Sequence, residues 1–331
     1  MKKNLGVFAV LALLTSCDSG YSEAELTQLH EEAIAANAIF EKNRNQNQQF
    51  ESWQLLVQGE INQSKTVSLS LSELKNLETI SVVTTDPHNS LGAESTHEFR
   101  GVKVATVLDR YNVDSDVTEV TFVADDGYRV TVSWADLQKY PIIIAFEKDN
   151  QPISRSNGGP LYLVFPYTDY PQLQQKYDDR YWIFYLTHAI AGTPDLSLQV
   201  ADKKFNARSL AKLPQVTIEE AVGYSGWSPG KVQLHGVRLR DVLSAAKIES
   251  GERAIVQGKS ILKRNSHQPI QMPMSAVRGC DVLLATAWGK KRQPIPSRMG
   301  GPVTLAFSPN CQEFFPQDPP WLTFVEQILV E

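Results

Sequence analysis

The chain is poor in cysteine, with Cys17, Cys280 and Cys311 the only three in 331 residues. No Cys-x-x-Cys-His haem attachment and no zinc-ligand spacing is present. A P-loop and a Ser-His-Asp order are also missing. Basic charge is in deficit: the formal net charge is −5, and no basic stripe runs along any segment, which argues against a nucleic-acid partner. Past the N-terminus no apolar run approaches the roughly 20 residues that a membrane-spanning helix needs.

What is present begins at the N-terminus. Met1-Lys2-Lys3 is basic, and the apolar run from Leu5 to Leu14 has the proportions of a signal-peptide core. Leu14-Thr15-Ser16-Cys17 then follows the lipobox pattern of bacterial lipoproteins. Residues 1–16 are therefore expected to be a cleaved signal, with Cys17 lipidated and holding the chain on the periplasmic face of a membrane. Asp18 resembles the signal for retention at the inner membrane. Residues 17–50 are expected to form a membrane-proximal stalk, partly helical through Leu26, Leu29, Ala33, Ala36 and Phe40. The stalk ends in the polar tract Asn43 to Gln49.

Cys280 and Cys311 remain. In an oxidising compartment two such thiols often pair, closing a loop of about 30 residues in a bridge typically worth about 3 kcal/mol. Two buried free thiols are the alternative.

The rest of the chain repeats itself. Phe99-Arg100-Gly101-Val102 through Val107-Leu108 matches Leu234-His235-Gly236-Val237 through Val242-Leu243. Gln151-Pro152-Ile153 leads to Gly158-Gly159-Pro160-Leu161-Tyr162-Leu163-Val164-Phe165. With the same spacing, Gln293-Pro294-Ile295 leads to Gly300-Gly301-Pro302-Val303-Thr304-Leu305-Ala306-Phe307. Leu74 to Leu77 similarly corresponds to Leu210 to Leu213. Matches in one order, offset by 135 (Phe99 to Leu234) to 142 (Gln151 to Gln293), read as a tandem duplication with domains at 51–192 and 193–331.

Each copy reads as strands with short helices, an α+β fold that is mostly β. Ile80 to Thr84 and Val117 to Val123 are strand-like, and Ser72 to Lys75 looks like a capped helical turn. The Gly-Val segment through Leu108 and the stretch Ser133 to Gln138 are expected to be helical. Ile142 to Phe146 and Gln151 to Ile153 suggest a hairpin across Glu147 to Asn150.

These residues carry a resemblance. Phe-Arg-Gly-Val, then Asp-Asp-Gly-Tyr, Tyr-Pro-Ile-Ile, Gly-Gly-Pro-Leu-Tyr-Leu-Val-Phe-Pro and an aromatic-rich final strand resemble the molybdopterin-binding domain of sulfite oxidase-type oxidoreductases, especially its small exported bacterial members. The similarity covers Trp53 to Ile190 and, more faintly, Leu196 to Glu331, so the chain is expected to hold two such domains in tandem, the second degenerate. The resemblance implies a molybdenum–pterin cofactor on a cysteine thiolate, with an oxyanion or sulfoxide as substrate. It also places that cysteine between the early strand and the Gly-Val segment. The windows Ile80–Gly101 and Val216–Gly236 contain none. Thr84-Thr85-Asp86-Pro87 stands there in the first copy, where Asp86 offers oxygen or simply opens a turn. No cofactor is therefore expected, with molybdopterin the alternative.

A candidate ligand pocket in the first copy comprises Thr85, Asp86, His97, Arg100, Arg155, Gly158 and Gly159, with counterparts His235, Arg298, Gly300 and Gly301 in the second. The glycines permit close backbone approach to a ligand or merely turn the chain. The arginines would bind an anion bidentately or stay solvated, and the histidines are acid–base or structural. Tyr167, Tyr170, Tyr177, Tyr181 and Trp182 read as a stacking surface or as filling between sheets. The reading these features favour is a lipoprotein that binds a small ligand or a membrane or periplasmic protein partner without catalysis. The alternative is a molybdopterin-dependent oxidoreductase lacking the usual cysteine.

Overall fold

Strand β1 (Gln54–Gly59) alternates exposed and buried residues, so Leu55 and Val57 face the core and Gln54 faces solvent. A computed structural model describes residues 53–61, 66–87, 96–221, 227, 230–259, 269–315 and 321–331. The expected signal, the lipidation at Cys17 and the stalk lie outside the described residues. Residues Glu51–Glu331 form one compact unit.

That unit is mostly β and repeats one plan. In the first half, β2 (Val67–Ser70), β1, β10 (Leu186–Ala191), β5 (Glu119–Ala124) and β6 (Arg129–Ser133) pair in that order. A second sheet runs β3 (Thr79–Thr85), β4 (Thr96–Lys103), β7 (Ile143–Lys148) and β8 (Gln151–Pro152), with β9 (Tyr162–Val164) also on β7. The second half has the same two orders. One sheet is β12 (Lys203–Phe205), β11 (Leu198–Val200), β20 (Thr323–Val330), β15 (Arg253–Lys259) and β16 (Ile270–Pro273). The other is β13 (Gln215–Ala221), β14 (Lys231–Arg238), β17 (Val282–Trp288) and β18 (Gln293–Pro294), with β19 (Thr304–Phe307) on β17. The sheets thus fall into two similar units, as two tandem domains would.

Short helices complete the units. Leu71–Lys75 starts on a capping box in which the Ser70 side chain accepts from Glu73 N, two residues earlier than the serine-capped start read from the sequence. Trp134–Lys139 and its counterpart Met274–Gly279 follow β6 and β16. The Gly-Val motif is not helical: β4 and β14 run through it, and the helices begin at Val104 and Leu239. The cause is a bulge between Arg100 and Gly101 and between His235 and Gly236. A Cβ at Gly101 would lie 2.2 Å from the Ile144 carbonyl oxygen, and one at Gly236 would lie 2.0 Å from that of Leu284. The glycine is there for backbone approach within the sheet.

The first half has one continuous core that gathers Phe99, Phe165, Tyr167, Tyr177 and Trp182, all buried. The tyrosine-rich stretch fills this core: Tyr167 Oη donates to the Asp178 carbonyl at 3.1 Å and to the Tyr177 carbonyl, while Tyr170 and Tyr181 pack at its edge. In the second half the apolar residues divide, and Trp227, Ile295 and Met299 sit in a separate cluster. Cys280 and Cys311 form a disulfide, both buried, with Cα atoms 5.0 Å apart. The halves touch through polar contacts: Arg129 Nε donates to the Arg298 carbonyl (3.0 Å), and Arg298 Nη1 meets Glu119 (3.0 Å).

Candidate functional site

Three chain segments shape an open cavity of 630 Å3 in the first half. The first is the end of β3, where the strand turns at Asp86-Pro87. The second is the β7–β8 hairpin, a two-residue loop whose Asp149 (φ 50°) and Asn150 (φ 59°) are both left-handed, as a type I′ turn requires. The third is a 3-10 turn, Arg155–Asn157, closed by Gly158 at φ 89°. Phe184 and Tyr185 supply the aromatic wall, and Tyr162 of β9 completes the lining.

The glycine pair is a requirement of the turn. A Cβ on Gly158 would meet the Phe184 ring at 2.3 Å, and one on Gly159 would meet the Ile153 carbonyl oxygen at 1.9 Å. Gly159-Pro160 is cis, as is Gly301-Pro302.

Charges in the cavity wall are paired with each other. Lys148 Nζ donates to Asp86 Oδ2 at 2.6 Å, with the carboxylate side chain only 7% exposed, and lies 5.5 Å from the Phe99 ring centre. His97 Nδ1 lies 2.6 Å from Asp149 Oδ2, and Glu98 N donates to the other oxygen at 3.0 Å. Burial would raise the Asp149 carboxyl, but these two hydrogen bonds outweigh it and hold the group below the usual carboxylate range. Tyr162 is 2% exposed, and its hydroxyl has no hydrogen-bond partner among the described residues. Burial, with the Asp86 charge adding to it, pushes this phenol far above its ordinary value, so it stays a neutral donor.

Of the residues singled out in the sequence, Asp86 and Gly158 line the cavity, and His97 stands one hydrogen bond behind it through Asp149. Thr85 pairs with Thr96 at the strand end, and Gly159 holds the turn. Arg100 is on the outer sheet, half exposed, against Glu147 and Thr79 (3.3 Å each). Arg155 points away to Asp125 (2.9 Å), between the Trp53 and Tyr185 rings at 4.8 and 5.0 Å. In the second half His235 is hydrogen-bonded at both nitrogens, Nε2 donating to the Gly289 carbonyl and Nδ1 accepting from Thr217 Oγ1 (2.8 Å each). Arg298 bridges to Glu119 of the first half, and Gly300 and Gly301 repeat the turn. Lys148, Asp149 and Tyr162 were not singled out. The first two read as hairpin loop and the third as an apolar strand position; comparing Tyr162 with Thr304, its counterpart in the repeat, was the available signal.

A molybdenum–pterin group held by a thiolate does not fit this donor set. Cys280 and Cys311 are bonded to each other in the other half, and the window 80–101 has no cysteine. Within that window the Thr84 hydroxyl is spent on the Phe165 carbonyl (2.9 Å), and Asp86 is committed to Lys148. The two cations nearest the cavity, Lys148 and Arg155, already face carboxylates rather than a phosphate. Among the described residues no three His, Cys, Asp or Glu side chains group as a metal site.

Residues 42–169 match the model of the oxidoreductase molybdopterin binding domain family. No curated protein matches the chain. Among solved structures, the chain is similar to the crystal structure of the sulfane dehydrogenase SoxCD from Paracoccus pantotrophus, at 10% identity and a TM-score of 0.35. The match covers 68% of this chain and 64% of that one, so this chain spans just under two thirds of the chain it matches.

Proposed function

We propose that the chain, whose residues 42–169 match the model of the oxidoreductase molybdopterin binding domain family, is a non-catalytic lipoprotein which binds a small ligand or a protein partner. It is held through lipid on Cys17 at the periplasmic face of a bacterial membrane, with Asp18 favouring the inner one. The family cavity is kept without molybdenum. One observation carries the reading: in the window where the family's thiolate would stand, Asp86 is buried in an ion pair with Lys148. The disulfide between Cys280 and Cys311 removes the other two thiols of the folded body. Asp86 oxygen, a hard donor already paired with an ammonium group, is a poor replacement for a soft thiolate ligand.

The family itself favours a second reading, a molybdopterin-dependent oxidoreductase acting on a small oxyanion or sulfoxide without the cysteine ligand. Elemental analysis separates the two. The chain is exported natively in a molybdopterin-competent host, and molybdenum and oxidised-pterin fluorescence are measured on the folded product. The non-catalytic reading expects neither; molybdenum near one atom per chain with redox activity refutes it. Palmitate labelling that survives in wild type and vanishes in Cys17→Ala checks the anchor.

A further inference from the structure

The Tyr162 hydroxyl is the feature of the cavity that packing does not explain. A buried hydroxyl left unbonded is unfavourable, and the repeat shows how the fold avoids one. At the corresponding position Thr304 donates to the Gly300 carbonyl at 3.1 Å and is fully satisfied. Tyr162 instead lines the cavity with its hydroxyl buried and within Coulombic reach of Asp86. The counterpart positions in the second half are apolar: Ile295 and Met299 are buried, and Trp227 Nε1 donates to the Met299 carbonyl at 2.7 Å. In the first half the residue at the Met299 position is Asn157, exposed at the cavity wall.

The wall's charges point to the class of ligand. Asp86 is neutralised by Lys148 and Asp149 faces His97, so among the described residues of the wall no uncompensated positive charge is presented to an anion. What remains is a deep phenol donor, the amides of Gln151 and Asn157, and the half-buried rings of Phe184 and Tyr185. Amides and a carboxylate that accept and donate around an aromatic face suit a ring carrying several hydroxyls. Building on the non-catalytic reading above, we propose that this cavity binds a neutral polyhydroxylated ring, a sugar or cyclitol, with Tyr162 donating to one of its oxygens and Asp86 accepting from a neighbouring hydroxyl.

The test is calorimetric titration of the full detergent-solubilised chain with glucose, galactose, myo-inositol and glucose 6-phosphate, molybdenum being assayed on the same batch. At least one neutral ring is expected to bind, and the phosphate ester is expected to bind at least tenfold more weakly than glucose. Tyr162→Phe should weaken binding about tenfold, the worth of one hydrogen bond of about 1.4 kcal/mol. Gln151→Ala, at an exposed position, should also weaken it and serves if the tyrosine variant fails to fold. Molybdenum-free protein that binds none of the three neutral rings overturns this inference while leaving the non-catalytic reading intact. Tighter binding of the phosphate ester, or undiminished binding by both variants, overturns it as well. Stoichiometric molybdenum overturns both.

Discussion

The two halves share a strand order and differ in how they fasten the same two segments. In the first half the helix Trp134–Lys139 is tied to the chain after β9 by Asp136, whose Oδ2 accepts from Lys176 Nζ and Tyr177 Oη, each at 2.5 Å. Tyr140, at the end of that helix, also packs on the Tyr170 ring with centres 5.1 Å apart. In the second half the helix Met274–Gly279 ends at Cys280, and the disulfide to Cys311 ties it to the chain after β19. Ala276 stands where Asp136 does. One joint of the fold therefore accepts either charge-assisted hydrogen bonds with ring packing or a covalent bridge. The loop region differs in the same way: in the first half it lines an open cavity with polar and aromatic residues, and in the second Trp227 packs with Ile295 and Met299.

The comparison breaks most readily at the tryptophan. Trp227→Ala removes the side chain over Ile295 and Met299 and should cost about 3–5 kcal/mol in urea unfolding. A cost near zero would mean that nothing is plugged there. Replacing both bridge cysteines, Cys280→Ala with Cys311→Ala, is next: losing a loop closed over a separation of 31 residues should cost about 3 kcal/mol. Reductant should lower the wild-type midpoint to that of the double variant.

Asp136→Asn tests the other fastening and should cost less, about 1–2 kcal/mol, because Lys176 is more than half exposed. Burial works to raise the Asp136 carboxyl, but the hydrogen bonds from Lys176 and Tyr177 outweigh it and leave the group below its ordinary 3.8. A carboxyl lowered on folding stabilises above its unfolded value, and that contribution disappears as pH falls through the lowered one. The gap between wild type and Asp136→Asn should thus be full at neutral pH and shrink below 3.8, as urea unfolding at several pH values would show. The smallest effects contrast the paired positions. Thr304→Val strips the hydroxyl bound to Gly300 and should cost about 1 kcal/mol. Tyr162→Phe removes an unbonded hydroxyl and should leave the ligand-free midpoint unchanged or raised. A loss equal to that of Thr304→Val would show that Tyr162 is bonded within the protein.

Local chemistry was the legible part of the fold. The hairpin could be read because Asp149 and Asn150 suit left-handed backbone, and the helix Trp134–Lys139 falls where one is expected, over Ser133 to Gln138. The Gly-Val segment is helical from Val104, as expected, but its start stays in β4 because Gly101 packs against the Ile144 carbonyl on a neighbouring strand, more than 40 positions away. The site was less legible than the fold. Asp86 and Gly158 could be named from their motifs, whereas Lys148 and Tyr162 looked like an ordinary loop cation and an ordinary strand aromatic.

The sequence by itself determined that the same motifs recur in one order, that the family's cysteine window is empty, and which two thiols were left to pair. These are matters of residue identity and order, which folding cannot change. Only the tertiary structure decided that Asp86 is buried against Lys148, that Arg155 and Arg298 turn to Asp125 and Glu119, and that the Tyr162 hydroxyl beside the cavity has no partner among the described residues. Those outcomes depend on which distant groups are brought within hydrogen-bond reach, and a hydrogen bond acts only over about 3 Å, however far apart its partners lie in the chain.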